Sequence, residues 1–287
     1  MKILVTGASG FIGQHLIKEL LGRGHYVIAT STSRKKVENV NWINDVIFVE
    51  HRIGEEIFSE NLWIKFHRPD LLIHLAWQGL PDYKNAQHSE VFLNQHCLFI
   101  QNLIQNGLKD VSVIGTCFEY GIKNGCLDES VSVEPVVPYA IAKNSLRLYL
   151  EELRRSYEFV FKWIRLFYMY GEGQNEKSLL VQLKKAVDSG EKVFNMSGGE
   201  QVRDYLPVQD VAIGIADIAL QSVVTGIFNC SSNRPVKLKD FVKKYINDNN
   251  LKIDLNFGYY PYPDYEPMEF WGDNSKLKSI ISYGKSN

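Results

Sequence analysis

The chain has 287 residues, a formal net charge of −1 and 45% hydrophobic residues, enough to bury a sizeable core in one large or two interleaved domains. Near-neutral charge excludes a nucleic-acid or membrane partner held by a basic field, and no stretch is apolar for long enough to span a bilayer. Cys97, Cys117, Cys126 and Cys230 lack CxxC spacing, and the seven histidines form no short metal-ligand spacing, so reduced thiols and no metal are expected. A first strand starting at residue 2 leaves no room for a signal peptide, and a cytoplasmic protein is expected.

Taken in chain order, Lys2-Ile3-Leu4-Val5 reads as a buried strand, and Thr6-Gly7-Ala8-Ser9-Gly10-Phe11-Ile12-Gly13 follows it. From Gly10 the period becomes helical, with Phe11, Ile12, Leu16, Ile17, Leu20 and Leu21 on one face. Strand, glycine turn, helix is the context of a dinucleotide site. Gly7 allows the turn, Gly10 admits a pyrophosphate, and Gly13 lets helix and strand pack closely. The helix start at Phe11 and Ile12 turns free N–H groups toward the phosphates.

Further strands are expected at 26–29, 46–49, 71–76, 111–115 and 159–167, with helices at 91–106, 139–157 and 208–220. This alternation predicts an α/β fold: a Rossmann-type, doubly wound parallel sheet over residues 1–171, with a smaller α/β substrate-binding region over 172–287. The 208–220 helix is a candidate to pack back on the first domain. The active site belongs between the two regions, at the carboxyl ends of the strands.

An acid at the end of the second strand would hold the ribose 2′-hydroxyl of NAD. Here that end reads Ala29-Thr30-Ser31-Thr32-Ser33-Arg34. Arg34 can fork onto a 2′-phosphate, and the Ser31 and Ser33 hydroxyls can donate to it, so NADP(H) is favoured over NAD(H). Tyr139 and Lys143, four apart on a helix, share one face. To exchange protons near neutrality the phenol must fall by roughly three pKa units, about 4 kcal/mol, which a nearby ammonium and a positive nicotinamide can supply.

The glycine turn, His74-Leu75-Ala76, Asn94, the Tyr139/Lys143 pair, Arg165 to Gly171 and Gln201 to Tyr205 match in order and spacing those of a known family. The chain resembles the extended short-chain dehydrogenase/reductases of epimerase/dehydratase type, in their nucleotide-sugar branch, over nearly its whole length. The resemblance implies that Leu75, Ala76 and Asn94 line the cofactor and that Lys143 also holds its ribose. It implies Thr116, in Gly115-Thr116-Cys117-Phe118-Glu119-Tyr120-Gly121, as the residue that binds the substrate oxygen beside Tyr139. Arg203 would pair with the substrate diphosphate. Tyr168 stands where relatives carry Asn, and Phe118 and Ser178 are further substrate candidates. Cys117 and Phe118 replace the Asp-Glu pair of the 4,6-dehydratases, and Glu119 should aim elsewhere, so water elimination is not expected.

The implied activity is NADPH-dependent reduction of a nucleoside-diphosphate 4-keto-6-deoxyhexose, most like the reductases of dTDP or CDP sugars that feed bacterial surface polysaccharide. An NAD-dependent 4-epimerase is the alternative, and a non-catalytic NADP-binding sensor or scaffold the reading of another class. A homodimer through the two long helices is the implied assembly.

Overall fold

The computed structural model describes residues 1–55 and 60–284. The first part of the chain alternates strand and helix: β1 (Lys2–Thr6), α1 (Phe11–Gly22), β2 (Tyr26–Ser31), β3 (Ile47–Glu50), α2 (Leu62–Lys65), β4 (Leu71–His74), α3 (Leu93–Gln105), β5 (Asp110–Thr116), β6 (Gly125–Leu127), α4 (Pro138–Leu153) and β7 (Val160–Leu166). The second part has shorter strands: β8 (Tyr168–Tyr170), α5 (Leu179–Asp188), β9 (Val193–Asn195), β10 (Val202–Pro207), α6 (Val208–Leu220), β11 (Gly226–Cys230), β12 (Pro235–Lys237), α7 (Leu238–Asp248), β13 (Asp254–Asn256), β14 (Phe270–Gly272) and α8 (Ser275–Gly284).

Seven strands form one parallel sheet in the order β11-β7-β5-β4-β1-β2-β3. Alternate residues serve opposite faces, which is why these strands read as continuous apolar runs. Ile3, Val5, Val27, Ala29, Leu71 and Ile73 pack against α1, α6 and α8. Leu4, Ile28, Leu72, Val111 and Val113 pack against α3 and α4. The strand order reverses between β1 and β4, which opens the switch-point crevice at their carboxyl ends.

The substrate side is built from small sheets: β12-β10-β8, β13-β9 and β14-β6. A separate apolar cluster beneath α5 and α7 includes Leu180, Leu183, Phe194 and Val242. The chain does not divide cleanly at residue 171: α6 packs on α1, and β11 extends the large sheet beside β7. The β11 strand has no expectation in the sequence reading. β4 stops at His74, so Leu75 and Ala76 are free to turn into the crevice. Helix α4 begins with Pro138 at its first turn, where the missing N–H has no partner to lose.

Candidate active site

The glycine turn is shaped by close backbone approach. Gly7 has φ +70°, and a Cβ there would lie 2.9 Å from the Ala76 nitrogen. A Cβ at Gly13 would come within 2.3 Å of the Gly7 carbonyl oxygen. Helix α1 then starts at Phe11 with no side-chain cap, so its first N–H groups are free for an anion. Thr6 joins this turn to β4, accepting from the Ala76 N–H at 3.2 Å and bonding His74 Nδ1 at 2.9 Å.

The loop after β2 differs from the expectation. Ser31 bonds Ser9 between hydroxyls at 2.7 Å, and the Ser33 hydroxyl accepts from the Lys35 N–H as a helical cap. The Arg34 guanidinium lies over the Phe48 ring, 5.6 Å from its centroid. The Glu50 carboxylate, opposite Ser31 in the sheet register, accepts from the Arg34 N–H at 2.7 Å. This places a carboxylate from the end of β3 beside the loop after β2, and a negative charge there opposes a 2′-phosphate.

The Tyr139 phenol is buried, and the nearby Thr116 side chain favours its ionised form. Thr116 ends β5 and caps the following turn, where its hydroxyl accepts from the Phe118 N–H. Lys143, one turn along α4, is wholly buried; its ammonium donates to the Ile114 carbonyl at 2.8 Å and lies 4.2 Å from the Trp77 ring centroid. Burial pushes Lys143 down to about 7, with Glu119 working against that fall. Tyr139 moves the other way from the value its proposed chemistry needs: burial first, then Tyr83, Glu119 and Cys117, raise it. A positive charge brought near the phenol would act against that rise.

Glu119 is not a second acid facing the site. It is fully buried, accepting from Arg165 Nε at 2.8 Å, from the Trp163 indole at 3.0 Å and from the Thr116 N–H at 2.9 Å.

A cleft of about 420 Å³ opens on the substrate side, lined among others by Tyr168, Lys177, Ser178, Tyr205, Phe241 and Glu266. Ser178 stands before α5 with its side chain uncommitted to a cap. Arg203, expected at the substrate diphosphate, also lines this cleft. Its guanidinium is buried and already bonded to Glu266 Oε2 at 3.0 Å and to the Pro267, Val202 and Met268 carbonyls. The Tyr168 hydroxyl donates to the same Glu266 oxygen at 2.6 Å. Arg203 anchors the tail with its charge compensated, and the exposed Lys177 is the cationic side chain lining the cleft with no ion pair among the described residues. Tyr83, Phe118 and Tyr265 form an aromatic wall beside Tyr139, with Tyr83 ring centroids 5.4 Å from Tyr139 and 5.1 Å from Phe118.

Asn94 also needs correction: it lies on the exposed side of α3, while His96 turns inward. His96 Nδ1 meets His74 Nε2 at 2.8 Å. Trp77, Tyr83, His88 and His96 complete the surroundings without having been expected, and Glu266 comes from the tail expected to help form the nucleotide pocket.

The model of a family described as "NAD dependent epimerase/dehydratase family" matches residues 3–231. Among curated proteins, the dTDP-6-deoxy-L-talose 4-dehydrogenase (NAD(+)) of Aggregatibacter actinomycetemcomitans is 30% identical over 281 residues, 95% of this chain and 99% of that protein. Among solved structures, MoeE5 with UDP-glucuronic acid and NAD aligns with a TM-score of 0.81 at 23% identity, covering 98% of this chain and 93% of that one. The UDP-glucuronic acid 4-epimerase of Bacillus cereus with NAD aligns with a TM-score of 0.81 at 22% identity, over 99% and 91%. The NAD(+) of the dehydrogenase, and the NAD in both aligned structures, overturn the expected preference for NADP(H). Glu50 at the loop, and Arg34 lying over Phe48, give the physical reason.

Proposed function

The chain belongs to the NAD dependent epimerase/dehydratase family, and from that premise we propose that it is an NAD-linked oxidoreductase acting at C4 of a nucleoside-diphosphate 6-deoxyhexose. The 4-dehydrogenase direction is favoured by the 6-deoxytalose relative. The 4-ketoreductase expected from the sequence is the same hydride transfer in reverse.

The carrying observation is the buried Thr116–Tyr139–Lys143 cluster, with the nearest carboxylate, Glu119, locked into other bonds. Bound NAD supplies the acceptor for the C4 hydride. The residues around the glycine turn fit it: α1 offers uncapped N–H groups, Gly7 and Gly13 leave no side chain in the way, and Glu50 suits a free ribose hydroxyl. Thr116 positions the C4 oxygen, Tyr139 takes its proton during oxidation or returns it during reduction, and Lys143 favours the phenolate while holding the nicotinamide ribose. The cleft from Tyr168 to Ser178 takes the nucleotide, with Lys177 toward its diphosphate. Phe118, with Tyr83 and Tyr265, gives the apolar wall suited to a C6 methyl. Exposed Val91, Ile141 and Leu148, on and beside the α3/α4 pair, support a homodimer.

The second reading is a 4-epimerase, whose fold this chain shares. It requires a 4-keto sugar to turn over within the site beside Tyr139. The two separate on mixing the protein with NAD and a dTDP-6-deoxyhexose bearing a C4 hydroxyl. Accumulating NADH, read at the nicotinamide band, marks the dehydrogenase. A new C4 epimer by NMR with no free NADH marks the epimerase. Tyr139→Phe is expected to lower turnover by about 10²–10⁴-fold while NAD affinity holds. No turnover of any nucleotide sugar by the parent protein, with NAD still bound, would leave the sensor or scaffold reading standing.

A further inference from the structure

We propose that Trp77 is a positioning residue that keeps Lys143 charged and in place beside Tyr139. The inference rests on Tyr139 and Lys143 as the acid-base pair. An ammonium buried as fully as that of Lys143 needs compensation. One of its donors reaches the Ile114 carbonyl, and Glu119 is committed to Arg165, Trp163 and the Thr116 N–H. What faces the charge is the Trp77 ring, 4.2 Å away at its centroid. Tryptophan is the most favourable ring for such a contact, and the contact strengthens where water is excluded.

The indole is itself held on two sides. Its Nε1–H donates to His88 Nδ1 at 3.0 Å, which leaves the proton of His88 on Nε2, where it donates to the Asp82 carbonyl at 2.8 Å. One face stacks on His96, with centroids 4.4 Å apart and planes 8° from parallel. His96 donates from Nε2 to Gln78 Oε1 at 2.7 Å, and accepts at Nδ1 from His74 Nε2. His74 accepts in turn from the Thr6 hydroxyl. A single direction of donation runs from Thr6 to Gln78, and it requires both histidines to be neutral. Burial, with Lys143 nearby, holds both of them well below their usual value. The titratable groups near the ammonium are therefore the carboxylate Glu119 and the neutral His74 and His96, and those near the Tyr139 phenol are Tyr83, Cys117, Glu119 and His88. Neither His74 nor His96 competes as a cation. Burial works against the Lys143 charge, and the indole, 4.2 Å away at its centroid, is the ring that faces it.

The test follows the Lys143 titration directly by NMR, in full-length protein with ε-¹³C-labelled lysine, assigned by loss of the signal in Lys143→Met. Trp77→Leu is expected to lower its midpoint by about one unit, and Trp77→Phe to recover at least half of that. In parallel, the alkaline-rising limb of sugar oxidation should move to higher pH in Trp77→Leu, and kcat near neutrality should fall about tenfold with KM for the sugar held. A Trp77→Leu protein that only loses thermal stability, with the Lys143 midpoint and the pH limb unmoved, overturns the proposal. Because the NMR midpoint needs no turnover, it decides the role of Trp77 even if Tyr139→Phe stays active and the acid-base assignment fails.

Discussion

On the dinucleotide side, the decisive contacts run between backbone atoms of adjoining elements: Gly13 against the Gly7 carbonyl, Gly7 against the Ala76 nitrogen. On the sugar side they run between side chains far apart in sequence. Arg203 and Glu266 are 63 residues apart, and Tyr168 and Glu266 are 98. The first arrangement has no slack, because every relative of NAD presents the same pyrophosphate to the same turn. The second depends on which charges and rings happen to meet, so it can be rewritten for a new sugar by changing a few tail residues.

Three substitutions or conditions probe that contrast. Removing Glu266 by Glu266→Ala leaves the Arg203 charge buried and unpaired, and should cost about 3–5 kcal/mol by denaturant titration. It should also raise KM for the nucleotide sugar while leaving the affinity for NAD alone. A loss below about 1 kcal/mol would mean that the tail is held by its carbonyl bonds and rings instead. On the other side, Gly13→Ala forces a methyl into the turn and should cost about 1–3 kcal/mol and weaken NAD binding by calorimetry. Gly22→Ala, at the far end of the same helix with open space around it, should be neutral or slightly stabilising. Equal behaviour of the two glycines would break the claim that close approach governs this side.

A pH-dependent effect, comparable to that of Gly13→Ala, concerns the buried histidines of β4 and α3. His74 and His96 sit below their ordinary value in the folded chain, chiefly through burial. The unfolded chain therefore takes up protons near pH 6.5 that the folded one refuses, and stability is lost as pH falls below that point. Each contributes up to about 1.4 kcal/mol per pH unit. Urea midpoints between roughly pH 7.5 and pH 5.5 should show this slope, and His96→Asn should remove about half of it.

How much of this was legible in the chain follows the same division. The glycine turn, the seven-stranded core short of β11, and the Tyr139/Lys143 pair rest on local periodicity and fixed spacing. Glu50 was missed because the acid was sought on β2, whereas the sheet brings the end of β3 beside Ser31. The inward turn of His96 was not legible, because it depends on which face of α3 meets the sheet, and one step of two residues rotates a side chain by more than half a turn. The bond from Arg203 to Glu266 was not legible either, because nothing near Arg203 in sequence announces Glu266. Glu119 was rightly set aside, but the reason, its bond to Arg165 on β7, exists only once β5 and β7 are paired.

The seventh strand carries a different consequence. β11 seals the open edge of β7, yet it is synthesised after α5, α6 and β8 to β10. A nascent chain emerging from the ribosome thus holds a cofactor-binding segment whose sheet is unfinished, with Phe228 still missing from the core that α6 and α8 close. The large sheet is complete only once the chain has passed through β8 to β10 of the substrate side and reached β11. The two halves are joined in biogenesis as well as in catalysis, and a gene fragment ending between them would encode a sheet with a raw edge.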